Sequence, residues 1–369
     1  MQADSLSRDT DRILKNPLSL TRRQFADLCL SLGEKAIHAK AIIKYIHRAG
    51  ICDYAEMRDI KPALCDKLAQ ISVWDLPTIV EEQRAADNTY KWLFRLKDGC
   101  LVETVLIPAD HRNTLCVSTQ VGCALNCAFC ATARQGFKRN LNSAEIIAQL
   151  WLVNRRLRAV SAQKVSNVVF MGMGEPLLNF DAVIDAVSLM TDDYAYGIPS
   201  RRVTLSTSGY VPGILRLKTV PSVALTVSLH APTDALRDRL VPLNRKYPIA
   251  VLMDAVRQFL ESRSAPACLS FAYVMLKDIN DTVACAVALA RLIGDLPAKV
   301  NLIPFNDFEH STFLSSQPDA ISQFRNILSE YGIVTTVRRS RGADISAACG
   351  QLSALKGNEM RKTRLQYAE

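Results

Sequence analysis

Residues 114–130 read T-L-C-V-S-T-Q-V-G-C-A-L-N-C-A-F-C, so a β-rich run leads directly into three cysteines that stand within eight residues. From about residue 99 onward the chain alternates such runs with amphipathic stretches, of which 143–158 and 249–262 are among the clearest. The β-rich runs are LVETVLI, TLCVST, VSNVVFM, RVTLSTS, SVALTVSLH, LSFAYVML, KVNLIPF and GIVTTVR. Strands that alternate with helices of this length predict βα units that build a parallel sheet or barrel.

The number of these units sets the fold class. Six or so βα units are fewer than the eight of a complete barrel. We therefore predict an α/β fold, a partial TIM-like barrel of the (β/α)6 type. The first two runs, LVETVLI and TLCVST, lie too close together for a crossover helix, and we expect them to form a hairpin.

Residues 1–98 show helical patterns and little strand signal. Thr21 precedes RRQFADLCLSL as a candidate N-cap, and AKAIIKYIHRAG ends on Gly50, a candidate C-cap. The sequence therefore predicts a small, basic, all-helical domain over 1–98, an α/β domain over 99–349 and a basic tail over 350–369.

The composition excludes some classes of protein and leaves others open. The chain has 369 residues, 49% of them hydrophobic, and 45 Lys and Arg against 36 Asp and Glu give a net charge of +9. This excess suits a polyanionic partner such as nucleic acid, but it also suits many enzymes. The first residues carry charges where a signal peptide needs an apolar core, and no apolar run approaches the roughly 18 residues that span a bilayer. We therefore expect a cytoplasmic protein without a membrane anchor.

Eleven cysteines are an unusual number, and an odd count fits a disulfide framework poorly. In a reducing compartment, clustered cysteines indicate metal binding or catalysis. Cys123, Cys127 and Cys130 can enclose one metal centre, but zinc would need a fourth Cys or His at short spacing, and none follows. Three cysteines fit an iron–sulfur cluster with one iron open to another ligand better than they fit zinc, which stays an alternative.

A second motif stands one βα unit after the cysteines. The run NVVFMGMGEP (167–176) passes from a predicted strand into Gly172, Gly174 and Glu175. Small residues at a strand end let a ligand approach the backbone closely, and a carboxylate there can bind an ammonium group or ribose hydroxyls.

The cysteine spacing C-x3-C-x2-C, with Phe129 before the last cysteine, resembles the signature of radical S-adenosylmethionine (SAM) enzymes. This resemblance implies that Cys123, Cys127 and Cys130 hold a [4Fe–4S] cluster whose open iron takes SAM. It also implies that one-electron reduction cleaves SAM to methionine and a 5′-deoxyadenosyl radical.

Within that superfamily, nearly the whole chain is similar to the adenosine C2 methyltransferases of the RlmN type. The matching segments, in chain order, are GEKAIHAKAI, LVETVLIP, TLCVSTQVGCALNCAFCATARQGFKRNL, GMGEP, TLSTSG, VSLHAP, NLIPFN and RGADISAACGQL. The resemblance implies that Cys349 is methylated, that Cys116 is its partner thiol and that Glu103 accepts a proton. The positions that it assigns to SAM binding are Gly174, Glu175, Ser206, Ser228, Leu229, His230 and Asn306.

The same resemblance implies the reaction and its partners. Two SAM molecules are used per turnover, one to methylate Cys349 and one to generate the radical that activates this methyl group towards carbon 2 of adenine. The expected substrates are an adenosine in the peptidyl transferase centre of 23S rRNA and the tRNA adenosine 3′ of the anticodon, with an electron donor such as flavodoxin. The pathway requires Cys116 and Cys349, 233 positions apart (349 − 116), to meet in one pocket.

Basic residues bracket the proposed site and predict a phosphate-binding rim. They are Arg134, Lys138, Arg139, Arg201, Arg202, Arg338, Arg339 and Arg341. The helical N-terminal domain is the expected second contact with RNA.

Two alternatives stay open. A Cfr-like activity at carbon 8 of the same adenosine shares the cluster and both catalytic cysteines, and Ile37 and His38 replace the aromatic–arginine pair that is usual in the N-terminal motif of the C2 group. The alternative from another class is a non-catalytic RNA-binding protein whose cysteines hold zinc.

Overall fold

The computed structural model describes residues 15–110, 112–160, 163–220, 222–263, 268–308 and 311–353. Most of the predicted basic tail, residues 354–369, lies outside the described residues, and so does the start of the predicted helical domain, residues 1–14.

A helical part opens the described chain. Its helices are α1 (Arg22–Ser31), α2 (His38–Ile43) and α3 (Pro62–Gln70). Both predicted caps are present: Thr21 forms a capping box with Gln24, and Gly50 adopts a φ of 76° after the π-helical turn Lys44–Ala49 that continues α2.

Two strands follow the helical part, β1 (Thr78–Arg84) and β2 (Tyr90–Arg95), and they pair antiparallel. The prediction that residues 1–98 are all-helical was wrong for this hairpin. β1 is the edge strand of the sheet and most of its side chains are exposed. It therefore lacks the hydrophobic alternation that marks a half-buried strand in a sequence.

The rest of the chain forms the α/β part. Its strands are β3 (Leu101–Ala109), β4 (Arg112–Cys116), β5 (Gln120–Gly122), β6 (Phe137–Asn140), β7 (Asn167–Phe170), β8 (Val203–Thr207), β9 (Ala224–Ser228), β10 (Leu269–Met275), β11 (Ala298–Pro304) and β12 (Thr335–Val337). Its helices are α4 (Ser143–Val160), α5 (Phe180–Thr191), α6 (Val211–Arg216), α7 (Asp234–Leu240), α8 (Ile249–Glu261), α9 (Val283–Ile293) and α10 (Pro318–Glu330).

One ten-stranded sheet runs in the order β1-β2-β3-β4-β7-β8-β9-β10-β11-β12, and β5 pairs with β6 in a small second sheet. The pairs from β1 to β4 are antiparallel, which confirms the predicted β3–β4 hairpin. From β4 to β12 every neighbouring pair is parallel, and helices make the six crossovers between them. The predicted partial (β/α)6 barrel is confirmed.

This topology fixes where a site can form. All seven parallel strands end at the same edge, and loops at that edge carry the active sites of related architectures. The helical part packs against the outside of α4, where the indole nitrogen of Trp151 donates a hydrogen bond of 2.8 Å to the carbonyl of Ile46. Among the described helices, none combines the length and the apolar character that crossing a bilayer requires.

Candidate active site

The three cysteines lie on the loop between β5 and β6. This loop is closed at its base, where the amide of Cys123 donates to the carbonyl of Gly136 at 3.0 Å. A Cβ on Gly122 would stand 1.8 Å from that same carbonyl oxygen, so the closure requires glycine at 122. Cys123, Cys127 and Cys130 all line one cavity at the carboxyl ends of the strands, which we call the inner cavity.

The thiols suit a metal cluster chemically. Burial raises the pKa of Cys123 to about 12 and raises the pKa of Cys127 still further, and the neighbouring cysteines add to both effects. Thiols of this kind lose their protons readily only to a metal, which compensates the buried charge. In the described part of the chain, no three His, Cys, Asp or Glu side chains converge on a point that would hold a single metal ion. Three cysteines that each bind a different iron of one cluster do not need to converge in this way.

The strand end after β7 forms a second wall of the inner cavity. Gly174 has a φ of 98°, and a Cβ there would lie 2.5 Å from the side chain of Gln120. Glu175 is 2% exposed, and its carboxylate accepts hydrogen bonds from the amides of Ser208 (2.8 Å) and Leu177 (3.1 Å). Burial outweighs these bonds and raises the pKa of Glu175 to about 6. A carboxylate so placed is suited to bind an ammonium group.

The ends of β8 and β9 supply hydroxyl groups. Ser206 and Ser228 line the inner cavity side by side, with their Oγ atoms 3.5 Å apart. Leu229 does not line the inner cavity; its side chain is fully buried, and its carbonyl accepts a hydrogen bond from Arg237. Asn306, beyond β11, lines the inner cavity, and its amide nitrogen lies 3.5 Å from the carbonyl of Cys349.

His230 is held as a neutral donor. Its Nδ1 accepts a hydrogen bond of 3.0 Å from the amide of Val274, so the proton of the neutral ring resides on Nε2. Burial, with the charge of Arg237 adding to it, lowers the pKa of His230 to about 3. The ring lines the inner cavity and packs edge-on against Phe129 at 4.6 Å between centroids. The residue that precedes Cys130 in the motif thus fixes the orientation of this imidazole.

Arg237 is a residue of this site that the sequence analysis missed. Its side chain, on α7, is fully buried and donates to the carbonyls of Leu229 (3.0 Å) and Ser208 (2.7 Å) and to the side chain of Asn244 (2.9 Å). It therefore joins the ends of β8 and β9 beneath the cysteine loop. An arginine in an amphipathic helix is ordinarily read as a solvated group, so no signal in the sequence marked it.

A second cavity adjoins the first, and we call it the outer cavity. It is lined by Cys116 at the end of β4, by Cys349, by residues of the β3–β4 hairpin and by Arg112, Arg338, Arg339 and Arg341. Cys349, Asn306 and Arg338 line both cavities, so Cys349 stands on the wall between them. The structure thus brings Cys116 and Cys349 into one pocket, as predicted.

The two cysteines have different surroundings. Cys116 is 7% exposed, and burial, with a smaller contribution from the charge of Cys349, raises its pKa to about 12. Cys349 is exposed, and the guanidinium of Arg338 lies 3.7 Å from its Sγ and 3.6 Å from the sulfur of Met171. Cys349 is therefore the accessible thiol of the pair, and its sulfur lies beside a guanidinium group.

Glu103 lines neither of these cavities. It is 4% exposed on β3, where its carboxylate forms an ion pair of 3.1 Å with Lys91 and accepts a hydrogen bond of 2.6 Å from the amide of Ser353. Burial raises its pKa, and Lys91 opposes the rise.

The basic residues do not form one rim. Arg338, Arg339 and Arg341 line the outer cavity. Arg139 instead forms a bidentate ion pair with Glu145 (2.8 and 2.9 Å) and contacts Asp98. The pair 201–202 precedes β8 and so lies at the amino ends of the parallel strands, at the opposite edge from both cavities. The spacing of basic residues in a sequence does not show at which end of a strand they lie. The predicted rim therefore wrongly included residues 201 and 202.

Two family models match the chain. The radical SAM superfamily model matches residues 117–286, and the model of the ribosomal RNA large subunit methyltransferase N-terminal domain matches residues 15–73. The first match covers the cysteine loop and the strands β7 to β10, which line the inner cavity, so fold and site together define a radical SAM enzyme.

The first of the following solved structures narrows the class. A radical SAM methyltransferase from Sphaerobacter thermophilus is 41% identical, with a TM-score of 0.86, over 92% of this chain and 100% of that chain. Streptococcus suis SuiB bound to S-adenosylmethionine is 14% identical, with a TM-score of 0.45, over 61% of this chain and 50% of that chain. A domain of the pyruvate-formate lyase-activating enzyme from Bacteroides vulgatus is 18% identical, with a TM-score of 0.37, over 47% of this chain and 99% of that chain.

The chain therefore belongs to the radical SAM RNA methyltransferases of the RlmN type, and it uses a [4Fe–4S] cluster and SAM.

Proposed function

We propose that this enzyme methylates carbon 2 of an adenosine in the peptidyl transferase centre of 23S rRNA, and of the tRNA adenosine 3′ of the anticodon, through a methylated Cys349. One observation carries the proposal. Cys349 stands on the wall between the inner cavity, which has groups for SAM, and the outer cavity, which contains a second thiol and four arginines. A sulfur in that position can take a methyl group on one side and deliver a carbon on the other.

The inner cavity is the proposed SAM site. Cys123, Cys127 and Cys130 would hold the cluster, and the bound cluster with SAM supplies one-electron cleavage to a 5′-deoxyadenosyl radical. Glu175 would bind the ammonium group of SAM, and the N–H of His230 would donate into the same cavity. Gly174, Ser206, Ser228 and Asn306, which line this cavity, would complete the SAM contacts.

The outer cavity is the proposed site of the RNA base. Carbon 2 of adenine has no lone pair with which to attack a sulfonium methyl group, so the methyl group must first reach Cys349. The sulfur of Cys349 would take the methyl group of a first SAM, and the resulting S–CH3 group would lose a hydrogen atom to the radical that a second SAM supplies at the inner cavity. The methylene radical then adds to carbon 2 and forms a covalent protein–RNA adduct.

Release of the product requires the second thiol. The adduct loses the ring proton, for which Glu103 is the proposed acceptor, and one electron, which the oxidised cluster held by Cys123, Cys127 and Cys130 would take up. Attack of the Cys116 thiolate on the Cys349 sulfur then breaks the S–CH2 bond, and the former methylene takes up a proton to become the methyl group. The resulting disulfide is reduced to two thiols by an external two-electron reductant.

The surroundings of the outer cavity support an RNA substrate. Arg112, Arg338, Arg339 and Arg341 can neutralise phosphates next to a base that has been unstacked from its helix. The helical part, which carries the match to the ribosomal RNA methyltransferase N-terminal domain, is the proposed second RNA contact. We further propose a cytoplasmic location and electron supply by a flavodoxin-like protein.

Nucleoside analysis tests the proposed function. Enzyme reconstituted anaerobically with iron, sulfide and a reductant is incubated with unmodified 23S rRNA and, separately, with tRNA, and the digested nucleosides are separated by mass spectrometry. We expect 2-methyladenosine from both RNAs. Formation of 8-methyladenosine would replace the proposed activity by the carbon 8 reaction, and a colourless, zinc-containing protein would overturn the radical mechanism.

A further inference from the structure

The loop that carries Cys349 is held at both of its ends by one ion pair. Lys91 on β2 and Glu103 on β3 lie on neighbouring strands, with Nζ and Oε1 3.1 Å apart. Their side chains are only 12% and 5% exposed. The Nζ atom of Lys91 also lies 3.4 Å from the carbonyl of Ser346, and the carboxylate of Glu103 accepts the amide of Ser353 at 2.6 Å.

These two contacts flank the reactive sulfur almost evenly. Ser346 precedes Cys349 by three residues, and Ser353 follows it by four. Ser346 has a φ of 51°, a left-handed conformation that few residues other than glycine adopt without support. The contact with Lys91 at this residue therefore supports a conformation that a free loop would seldom keep.

The β1–β2 turn holds the segment just before the loop. Asp87 accepts the amide of Gly342 at 3.1 Å, and the amide of Ala86 donates to Asp344 at 3.0 Å. The cysteine loop holds the middle of the segment, since the amide of Ala131 donates to the carbonyl of Gly350 at 2.7 Å. Lys91 and Glu103 thus close a frame around Cys349, and the cation of this frame comes from β2, a strand absent from the predicted fold.

We propose that Lys91 is a positioning residue of the reaction: with Glu103 it clamps both ends of segment 346–353 and thereby holds the Cys349 sulfur between the two cavities. The consequence for methylation rests on the proposed function, whereas the clamp itself does not. Removing the ammonium group leaves the buried carboxylate without its cationic partner, so the loop contact through Glu103 weakens as well.

Hydrogen–deuterium exchange on the full, cluster-loaded protein tests the clamp without reference to any product. In Lys91→Met, we expect the amides of 347–353 to exchange at least about tenfold faster than in the wild type, while those of β9 stay unchanged. Lys91→Arg restores the cation and should bring exchange back to near the wild-type rate. Lys97→Met is the matched control, because Lys97 also pairs with a carboxylate, Asp75 at 3.7 Å, but on an exposed surface.

A second pair of variants changes the loop itself at Ser353. These variants test the clamp even if Lys91→Met does not fold. Ser353→Pro removes the amide that Glu103 accepts and should speed exchange at 347–352. Ser353→Ala keeps that amide and removes only the hydroxyl that accepts from Gln135 at 2.7 Å, so it should exchange more slowly than Ser353→Pro. Equal exchange in Ser353→Pro and Ser353→Ala, or no change in a folded Lys91→Met, overturns the clamp.

Steady-state kinetics of Lys91→Met distinguish a positioning role of Lys91 from a general loss of structure in the variant. Lys91→Met should lower kcat about tenfold and leave the KM for SAM unchanged, because the inner cavity does not contain Lys91. A rise in KM without a fall in kcat contradicts the positioning role. If the nucleoside analysis fails to find 2-methyladenosine, the exchange measurements still decide whether the clamp exists.

Discussion

The inner and outer cavities share a wall but are built in different ways. The inner cavity is formed by strand ends whose side chains are fixed by buried hydrogen bonds, as Glu175, His230 and Arg237 illustrate. The outer cavity has one wall of strands and one wall made of the loop around Cys349. A single 3-10 turn, Ala343–Ile345, precedes that loop, and contacts from four separate segments hold the turn and the loop together.

This difference matches the two tasks that the proposed function assigns to the site, radical generation and carbon transfer through the Cys349 sulfur. The groups that generate a radical must be held rigidly, because a displacement of about 1 Å between reacting groups greatly lowers the reaction rate. A preorganised site avoids this loss. Under the proposed function, the Cys349 sulfur would instead exchange partners, first a methyl group, then a base, then Cys116. A loop that lies outside any strand or helix permits this exchange, and the ion pair at its ends limits how far the sulfur can move.

The largest expected effect lies in the outer cavity. Cys116→Ala should reduce turnover to the background level and accumulate RNA linked covalently to residue 349, because the thiol that releases the adduct is missing. Cys349→Ala should be equally inactive but form no adduct, and Cys52→Ala serves as a cysteine control. Denaturing gels and peptide mass spectrometry measure the adduct, and clean turnover by Cys116→Ala would refute the assignment.

Next in size is a loss of stability at the inner cavity. Arg237→Met leaves several buried acceptors without a donor, and each costs about 1–3 kcal/mol when unsatisfied. We expect the free energy of unfolding of the apoprotein to fall by about 3–5 kcal/mol in chemical denaturation. Arg156→Met breaks an ion pair with Glu82 on the surface and should not change it measurably. Equal stability of the two variants would mean that Arg237 does not join β8 to β9.

The two cavities also differ in how much of their structure the sequence predicts. The βα alternation predicted the parallel strands because the crossover helices are amphipathic and the strands between β4 and β11 have mostly buried side chains. The spacing of Cys123, Cys127 and Cys130 predicted that they share a site, since residues so close along a short loop must also lie close together in space. The meeting of Cys116 and Cys349 came from family resemblance and not from spacing.

The parts that escaped prediction depend on contacts between distant residues. β1 was missed because an exposed edge strand has no hydrophobic period. Arg237 and Lys91 were missed because a charged side chain is taken as solvated until its buried acceptors are known. Glu103 was predicted as a proton acceptor, but its engagement with Ser353, 250 residues away, follows from the tertiary structure alone.

A smaller effect should show whether His230 contacts SAM through its Nε2 donor or serves only in packing. His230→Asn keeps an acceptor near the amide of Val274 and tolerates the φ of 61°, since asparagine enters the left-handed region more readily than most residues. It removes the Nε2 donor from the inner cavity, so we expect the KM for SAM to rise about tenfold while stability changes by less than about 1 kcal/mol. A variant with normal KM would assign His230 to packing alone. His230→Leu, which loses both contacts, should lower stability as well.

The smallest effect concerns the protonation of Cys116. Because burial raises its pKa to about 12, roughly one thiol in ten thousand is ionised at pH 8. Alkylation of Cys116 by iodoacetamide, followed on its own peptide, should therefore accelerate about tenfold per pH unit from pH 8 to 10 without a plateau. The charge of Cys349 raises this pKa and that of Arg338 lowers it, so Cys349→Ser should speed alkylation a few-fold and Arg338→Met should slow it. A plateau below pH 9 would show that Cys116 is already poised as a thiolate, and the outer cavity would then be as preorganised as the inner one.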